Sequence, residues 1–254
     1  MKNVAKNGGI YERRISLLSC FIRIFIIIVC NFFHPFCFFV ALNNILMSDT
    51  KIIPLTKEEL QTLANAEFFV IKQSVTKKIQ QQFHLLKNNL QLEVEHCKNT
   101  IPPEADISTG RIFRGENYKG FPYIILDYPR LFDKNQVFAF RNMCWWGKHF
   151  SFTLHLSGKP LDNCRISVSN NIHRLNGKGF YYCINNTPWE YHYEEDNYKS
   201  LDELLQQNPL EFKKDIFQKD FIKLSRKLEI SCYEDILACG QETFKLCLEI
   251  MNQD

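Results

Sequence analysis

The chain has 254 residues, of which 45% are hydrophobic and 23% are charged, and its formal net charge is +3. This composition and length permit one sizeable globular domain or two small ones. The positive charge lies at the N-terminus, because residues 1–47 hold five bases and one acid, which leaves 26 bases and 27 acids in residues 48–254. The body has no basic surplus, so a broad phosphate-binding face and a nucleic-acid partner are not expected.

Ten cysteines are spaced irregularly along the chain, and no C-x-x-C pair occurs among them. A chain of this length has enough apolar residues for a core without a disulfide framework. Cys239 and Cys247 fall within a helical pattern, where a free thiol packs as a small apolar group. We therefore interpret the cysteines as reduced thiols of a cytoplasmic protein.

The N-terminal segment is strongly apolar, and Ile24 to Leu42 runs 19 residues without a charged side chain. That length matches a bilayer span, but Asn31, His34 and Pro35 near its middle are unfavourable there. We predict that residues 1–46 are a hydrophobic leader created by a mis-assigned start, and that a soluble cytoplasmic domain occupies residues 47–254. A single-pass anchor through residues 24–42 and a secretion signal are the alternatives. Membrane contact is expected only if residues 15–46 are expressed.

The first predicted element of the body is a long helix. Thr56 followed by Glu59 is a capping-box pattern, and the helix that it begins is expected to continue to about Cys97. Apolar residues recur every three or four positions and give one core-facing stripe. They are Ile71, Val75, Ile79, Phe83, Leu86, Leu90, Val94 and Cys97.

From Arg111 to about Tyr193 the pattern becomes strand-like. Six β-branched or aromatic runs are bounded by Gly, Pro and Asn, namely RIFRG, FPYIILDY, QVFAFRNMCWW, HFSFTLHLS, GFYYCIN and WEYHYE. In His149 to Ser157 the polar residues share one face and the apolar residues share the other, as in a half-buried strand. The following segment, LDNCRISVSNNIHRLNG, is compatible with a helix or with an irregular strand.

The C-terminal region is predicted to be helical. Ser200 with Glu203 and Ser231 with Glu234 are capping-box patterns, and Asn208-Pro209 separates two helices. One apolar stripe comprises Phe217, Phe221, Leu224 and Leu228, and a second comprises Ile236, Gly240, Phe244, Cys247 and Met251. Gly240 in mid-helix indicates close packing. The predicted fold is α+β, with an antiparallel sheet of about five or six strands packed against a long N-terminal helix and C-terminal helices.

The segment RIFRGENYKGFPY is one candidate ligand site, because it places charged and polar side chains around two glycines. Glycine permits close backbone approach, and an arginine can hold an anion with two hydrogen bonds. The pattern is neither a P-loop nor a dinucleotide fingerprint, and a solvated turn with local ion pairs is the alternative. The candidates here are Arg114, Glu116, Asn117 and Tyr118.

Asp127 and Arg141 are charged residues at the end of one apolar strand and inside the next. A buried charge has to be paired, so we expect Asp127 to pair with Arg141 or with Arg130. In a catalytic role, Asp127 would orient a group or accept a proton, and an arginine would hold an anionic substrate. His155 is the third candidate for such a site.

Two histidines on the polar strand face raise the question of a metal. His149 and His155 are six residues apart, which is about 20 Å along a strand, so they cannot share one ion. We predict no metal and no cofactor.

Trp145 and Trp146 point to opposite faces of the predicted strand. Trp146, together with His149, is a candidate to contact a ligand.

The segments RGENYKGFPYIILDYPR and FAFRNMCWWGKHFSFTLHLSG resemble a group of uncharacterised proteins of Bacteroidetes-type bacteria that begin near the equivalent of Met47. The likeness spans most of residues 50–254 and implies a soluble body, but it implies no catalytic residue. We predict a non-catalytic module that binds a small or anionic ligand or a protein partner. A metal-independent enzyme that uses Asp127, Arg141 and a histidine at the polar sheet face is the alternative, since no nucleophile motif is present.

Overall fold

The computed structural model describes residues 52–252 of the chain. The chain divides into two compact units, Met1–Ala64 and Asn65–Asp254. In the described part of the first unit, helix α1 spans Lys57–Ala64. The predicted capping box is confirmed, because the Glu59 backbone N–H donates to Thr56 Oγ1 and the Thr56 N–H donates to Glu59 Oε2.

The second unit begins with helix α2, Ala66–His96. The prediction of one helix from Thr56 to Cys97 was wrong, because the helix is interrupted at Asn65. The Asn65 side chain instead accepts a hydrogen bond from the Phe68 N–H at 2.9 Å and starts a new helix. The predicted stripe is buried from Ile79 to Val94, whereas Ile71 is exposed.

The core of this unit is a seven-stranded sheet in which every neighbouring pair is antiparallel. The strands are β1 Arg111–Tyr118, β2 Phe121–Phe132, β3 Val137–Trp145, β4 His149–Ser157, β5 Phe180–Cys183, β6 Tyr198–Ser200 and β7 Phe221–Glu229. Their order is β1-β2-β3-β4-β7-β5-β6, so the last strand of the chain lies inside the sheet. The α+β class is therefore confirmed, with seven strands rather than five or six.

Two strand predictions need correction. Phe221–Glu229, predicted to be helical, is strand β7 and pairs with β4 and β5. Its apolar residues Ile222, Leu224 and Leu228 are compatible with the period of two of a strand as well as with a helix. The strand forms because the edge of β4 offers backbone hydrogen bonds to this segment. In contrast, WEYHYE lies outside the strands. The strand after β5 is instead the short β6.

Four more helices complete the unit, and they are α3 Lys159–Asn171, α4 Leu201–Gln207, α5 Pro209–Gln218 and α6 Ile236–Met251. The predicted break at Asn208-Pro209 is confirmed, and the Asn208 side chain caps α5 by accepting from the Glu211 N–H. The other two capping boxes were wrong, because neither Ser200 nor Asp235, which precedes α6, makes a side-chain cap hydrogen bond. Ser231 lies in a 3₁₀ segment, Ile230–Asp235.

Helices α2, α3, α5 and α6 pack on one face of the sheet and form the main core with it. Phe140 of β3 packs against Phe244 of α6 with ring centroids 4.9 Å apart. The predicted close packing at Gly240 is confirmed, since a Cβ there would lie 2.9 Å from Leu86 Cδ2 and 3.0 Å from Phe152 Cε1.

The opposite face of the sheet is covered by residues 184–197, which connect β5 to β6 and which we call the covering segment. Tyr191 of this segment packs against Ile125, Met143 and Trp145. The alternation in His149 to Ser157 predicted a half-buried strand with an exposed polar face. That face is instead buried, including His149, Ser151, Thr153 and His155.

The seven cysteines within residues 52–252 are free thiols. No helix in this range has both the length and the apolar character that crossing a membrane requires. The predicted leader at residues 1–46 and the alternative span at residues 24–42 lie outside the described residues.

Candidate functional site

The polar face of the sheet is built in rungs, because side chains in register on neighbouring strands lie side by side. One rung joins His155 of β4 to Lys223 of β7, and the next joins Thr153 to Ser225. These two rungs bring the unusual polar groups of the face together under the covering segment.

Asp127 and Arg141 form the ion pair that the sequence predicted. Arg141 Nε and Nη2 donate to the two carboxylate oxygens of Asp127, each at 2.7 Å, and Nη1 donates to the hydroxyl of Tyr191. Burial alone lowers the pKa of Arg141, but the hydrogen bonds to Asp127 and the charges around it raise that pKa above its ordinary value. Asp127 has both oxygens occupied and is shielded from solvent, so this pair favours a structural role over proton transfer.

Lys223 is a charged residue that the sequence analysis missed. It is fully buried in β7, and its ammonium donates to the carbonyl oxygens of Pro188 at 2.8 Å and of Glu190 at 2.6 Å. The same group lies 4.2 Å from the centre of the Tyr191 ring, a cation–π contact. Burial lowers its pKa from 10.5 to about 8. The position of this lysine inside the apolar run FIKLS could have indicated a buried charge. It was not recognised because the segment was predicted to be a helix, in which the lysine would face solvent.

His155 lies beside Lys223 and has an imidazole that is only 3% exposed. Burial, followed by the charges of Lys223 and Arg141, lowers its pKa to about 3, so the ring is neutral at ordinary pH. Its Nε2 atom is buried without a hydrogen-bond partner. The ring contacts Trp189 edge-on at 5.6 Å. A buried polar atom without a protein partner is uncommon, and this nitrogen is free to hydrogen-bond to a ligand or a water molecule.

A cleft of about 750 Å³ opens at this end of the sheet. His155 and Phe221 form part of its lining, together with Trp189, a residue that is 52% exposed. Its charged lining comprises three acids and three bases, namely Asp133, Asp162, Asp220, Lys134, Arg165 and Lys219. The cleft therefore has an aromatic wall, a neutral imidazole and no excess of either charge.

Two of the three bases are already engaged. Lys219 Nζ donates to the Cys183 carbonyl at 2.8 Å, and burial lowers its pKa. Arg165 donates to the carbonyls of Ile216 and Lys219 at 2.6 and 2.9 Å. These cations hold the loops around the cleft in place, so they contribute little free positive charge to a ligand.

The other predicted ligand residues lie elsewhere. Arg114 to Tyr118 belong to strand β1 rather than to a loop. Glu116 pairs with Lys72 at 2.6 Å, and the Asn117 side chain accepts from the Gly120 N–H in the turn that follows. Within the described residues, none of Arg114, Glu116, Asn117 and Tyr118 lines the cleft. The segment therefore forms a strand and the turn after it, and its glutamate pairs with a lysine of helix α2.

The tryptophans lie on opposite faces, as predicted. Trp145 is buried under the covering segment, and Trp146 packs against the helix side, where it lines an apolar groove. His149 packs edge-on against Trp145 and Tyr193, and burial lowers its pKa to about 4. Trp146 and His149 are thus separate from the cleft that holds His155.

Comparison of the chain with protein-family models, with curated proteins and with solved structures finds no match. The geometry of the cleft and of the covering segment is therefore the basis for any functional conclusion.

Proposed function

We propose that the protein is a non-catalytic binding module that holds a small, uncharged molecule with a flat ring in the cleft beside His155. The observation that carries this proposal is the unpartnered, neutral imidazole in the cleft wall next to an exposed indole. The ligand ring would stack on Trp189, and a small movement of the Trp189 ring, which contacts His155, would let a ligand polar group reach the buried Nε2 atom.

The balance of charge favours an uncharged ligand over the anionic ligand that was the other expectation. Three acids accompany the three bases of the lining, and Arg165 and Lys219 already donate to backbone carbonyls. An anion would gain no net attraction from this balanced lining and would have to compete for donors that are in use.

The enzyme alternative has less support, because its main candidate is enclosed. Asp127 gives both oxygens to Arg141, and Arg141 is closed off by Tyr191. A general base has to lie within hydrogen-bond reach of a substrate proton, and Asp127 does not open into the cleft.

The experiment is a thermal-shift screen of the full chain against uncharged cyclic compounds, followed by calorimetric titration of the compounds that raise the melting temperature. We expect Trp189→Ala to weaken their binding about three- to tenfold, the loss of one ring-stacking contact. Phe217→Ala is a matched control, because Phe217 has the same 52% exposure as Trp189 but does not line the cleft. Absence of any stabilising compound, or equal affinity for wild type and Trp189→Ala, would contradict the proposal.

A further inference from the structure

The covering segment carries a second group of polar side chains, at residues 192–196. His192 Nδ1 lies 3.6 Å from Glu194 Oε2 and 3.7 Å from Asp196 Oδ1, and the three atoms are all within 4.8 Å of one another. One imidazole nitrogen and two carboxylate oxygens thus converge on a common point.

The burial of His192 shows that this is more than a group of surface acids. The residue is 2% exposed, and its Nδ1 atom has no hydrogen-bond partner. An unpartnered nitrogen in a buried ring costs free energy unless something binds it. The carboxylates that face it are 72% and 70% exposed, so an ion can reach both of them from solvent.

The other side of the ring is oriented by the protein. Nε2 of His192 lies 3.6 Å from Glu190 Oε2, and that oxygen accepts a hydrogen bond from the Tyr118 hydroxyl at 2.8 Å. The His192 carbonyl accepts from the Asn197 side chain at 2.6 Å. Glu190 and Asn197 thus fix the orientation of His192, as outer-shell partners do for a metal-binding histidine.

The spacing also suits an ion. A tetrahedral metal with bonds of about 2.0–2.1 Å separates its ligand atoms by about 3.3 Å. The two distances from His192 Nδ1, 3.6 and 3.7 Å, are close to that value, and the two carboxylate oxygens lie within 4.8 Å of each other. We propose that His192, Glu194 and Asp196 bind a divalent transition-metal ion of the zinc type, with water in the remaining position. The imidazole favours such an ion over Mg²⁺ or Ca²⁺, which prefer oxygen ligands throughout.

This inference revises the expectation of no metal, and it does not depend on the proposed ligand of the cleft. The sequence alone did not indicate the site, because WEYHYE was predicted to be a strand that ends at Glu194 and does not include Asp196. A turn brings Asp196 close to His192 and Glu194. In this turn the Asn197 N–H donates to the Glu194 carbonyl at 3.0 Å.

The test is a calorimetric titration of the metal-free full chain with Zn²⁺ and, separately, with Mg²⁺. We expect one Zn²⁺ per chain, a rise in melting temperature on binding, and no comparable binding of Mg²⁺. Glu194→Gln and Asp196→Asn should each lower the Zn²⁺ affinity at least about tenfold. Both side chains are exposed, so circular dichroism should show that these variants remain folded.

Glu195→Gln is the matched control, because it removes the same charge from an exposed position between the two proposed ligands. Its Zn²⁺ affinity should equal that of the wild type. The proposal is overturned if Zn²⁺ does not bind stoichiometrically, if Mg²⁺ binds equally well, or if Glu195→Gln weakens binding as much as the other two variants.

Discussion

At the scale of single residues, Lys223 links the sheet to the covering segment. Its ammonium is fully buried and is stabilised by the carbonyls of Pro188 and Glu190 and by the ring of Tyr191. A charge in such a place is tolerated only when hydrogen bonds replace those lost from water. The residue therefore holds in place the segment that carries Trp189 and His192.

We expect Lys223→Met to destabilise the fold by about 2 kcal/mol, because the two carbonyl oxygens lose their donor and this outweighs the relief of the buried charge. Urea unfolding of the full chain measures the change. Lys227→Met is the control on the same face of β7, where the lysine is partly exposed and pairs with Glu229, and it should change stability by less than about 0.5 kcal/mol. Equal costs for the two variants would contradict the role given to Lys223.

At the scale of elements, helix α6 lies close to α2 and to the sheet because Gly240 has no side chain. A Cβ at this position would meet Leu86 and Phe152, both of which are fully buried. A helix interior ordinarily gains up to about 1 kcal/mol when alanine replaces glycine, so the glycine is retained against local propensity. The close packing of α6 against α2 and the sheet explains why glycine occupies this position.

Gly240→Ala should therefore destabilise the protein, by about 1–2 kcal/mol, because overpacking outweighs the gain in helix propensity. Denaturant unfolding measures the cost. In a Leu86→Ala background, where space is available, the same substitution should be neutral or stabilising. A stabilising effect of Gly240→Ala in the wild-type background would show that α2 and α6 can separate at no cost.

At the scale of the whole molecule, two buried neutral histidines make stability depend on pH. Burial lowers the pKa of His155 to about 3 and of His149 to about 4, from 6.5. Between pH 6.5 and these values the unfolded chain binds protons that the folded chain does not, so stability falls as the pH falls. Lys223 and Arg141 around His155, and Lys227 and Lys148 around His149, oppose protonation in the fold, whereas Glu229 acts in the opposite direction at His149.

The free energy of unfolding should decrease by up to about 1.4 kcal/mol per pH unit for each of the two histidines as the pH is lowered from 6.5 to 5. Urea unfolding at a series of pH values measures this slope. His149→Phe should remove about half of it, and His84→Gln, at an exposed position on α2, should leave it unchanged. A slope that is the same in His149→Phe and in wild type would show that His149 is protonated in the fold.

Sequence periodicity predicted the elements whose neighbours are close in the chain. The stripe of α2 and the strands β1 to β4 follow from local apolar patterns and turn residues, and the pairing of Asp127 with Arg141 follows from the cost of an unpaired buried charge. The stripe Phe217, Phe221, Leu224 and Leu228 misled the prediction, because its spacing satisfies two periods at once.

The amino-acid sequence by itself determined the α+β class, the antiparallel hairpins and the opposite orientations of Trp145 and Trp146, because these depend on the alternation of side chains along neighbouring segments. Only the tertiary structure decided that β7 enters the sheet next to β4 and that residues 184–197 cover the polar face. Both depend on contacts between distant parts of the chain, such as Lys223 with Pro188, 35 residues away. Local patterns do not encode such long-range contacts. These contacts form the cleft at His155 and the site at His192.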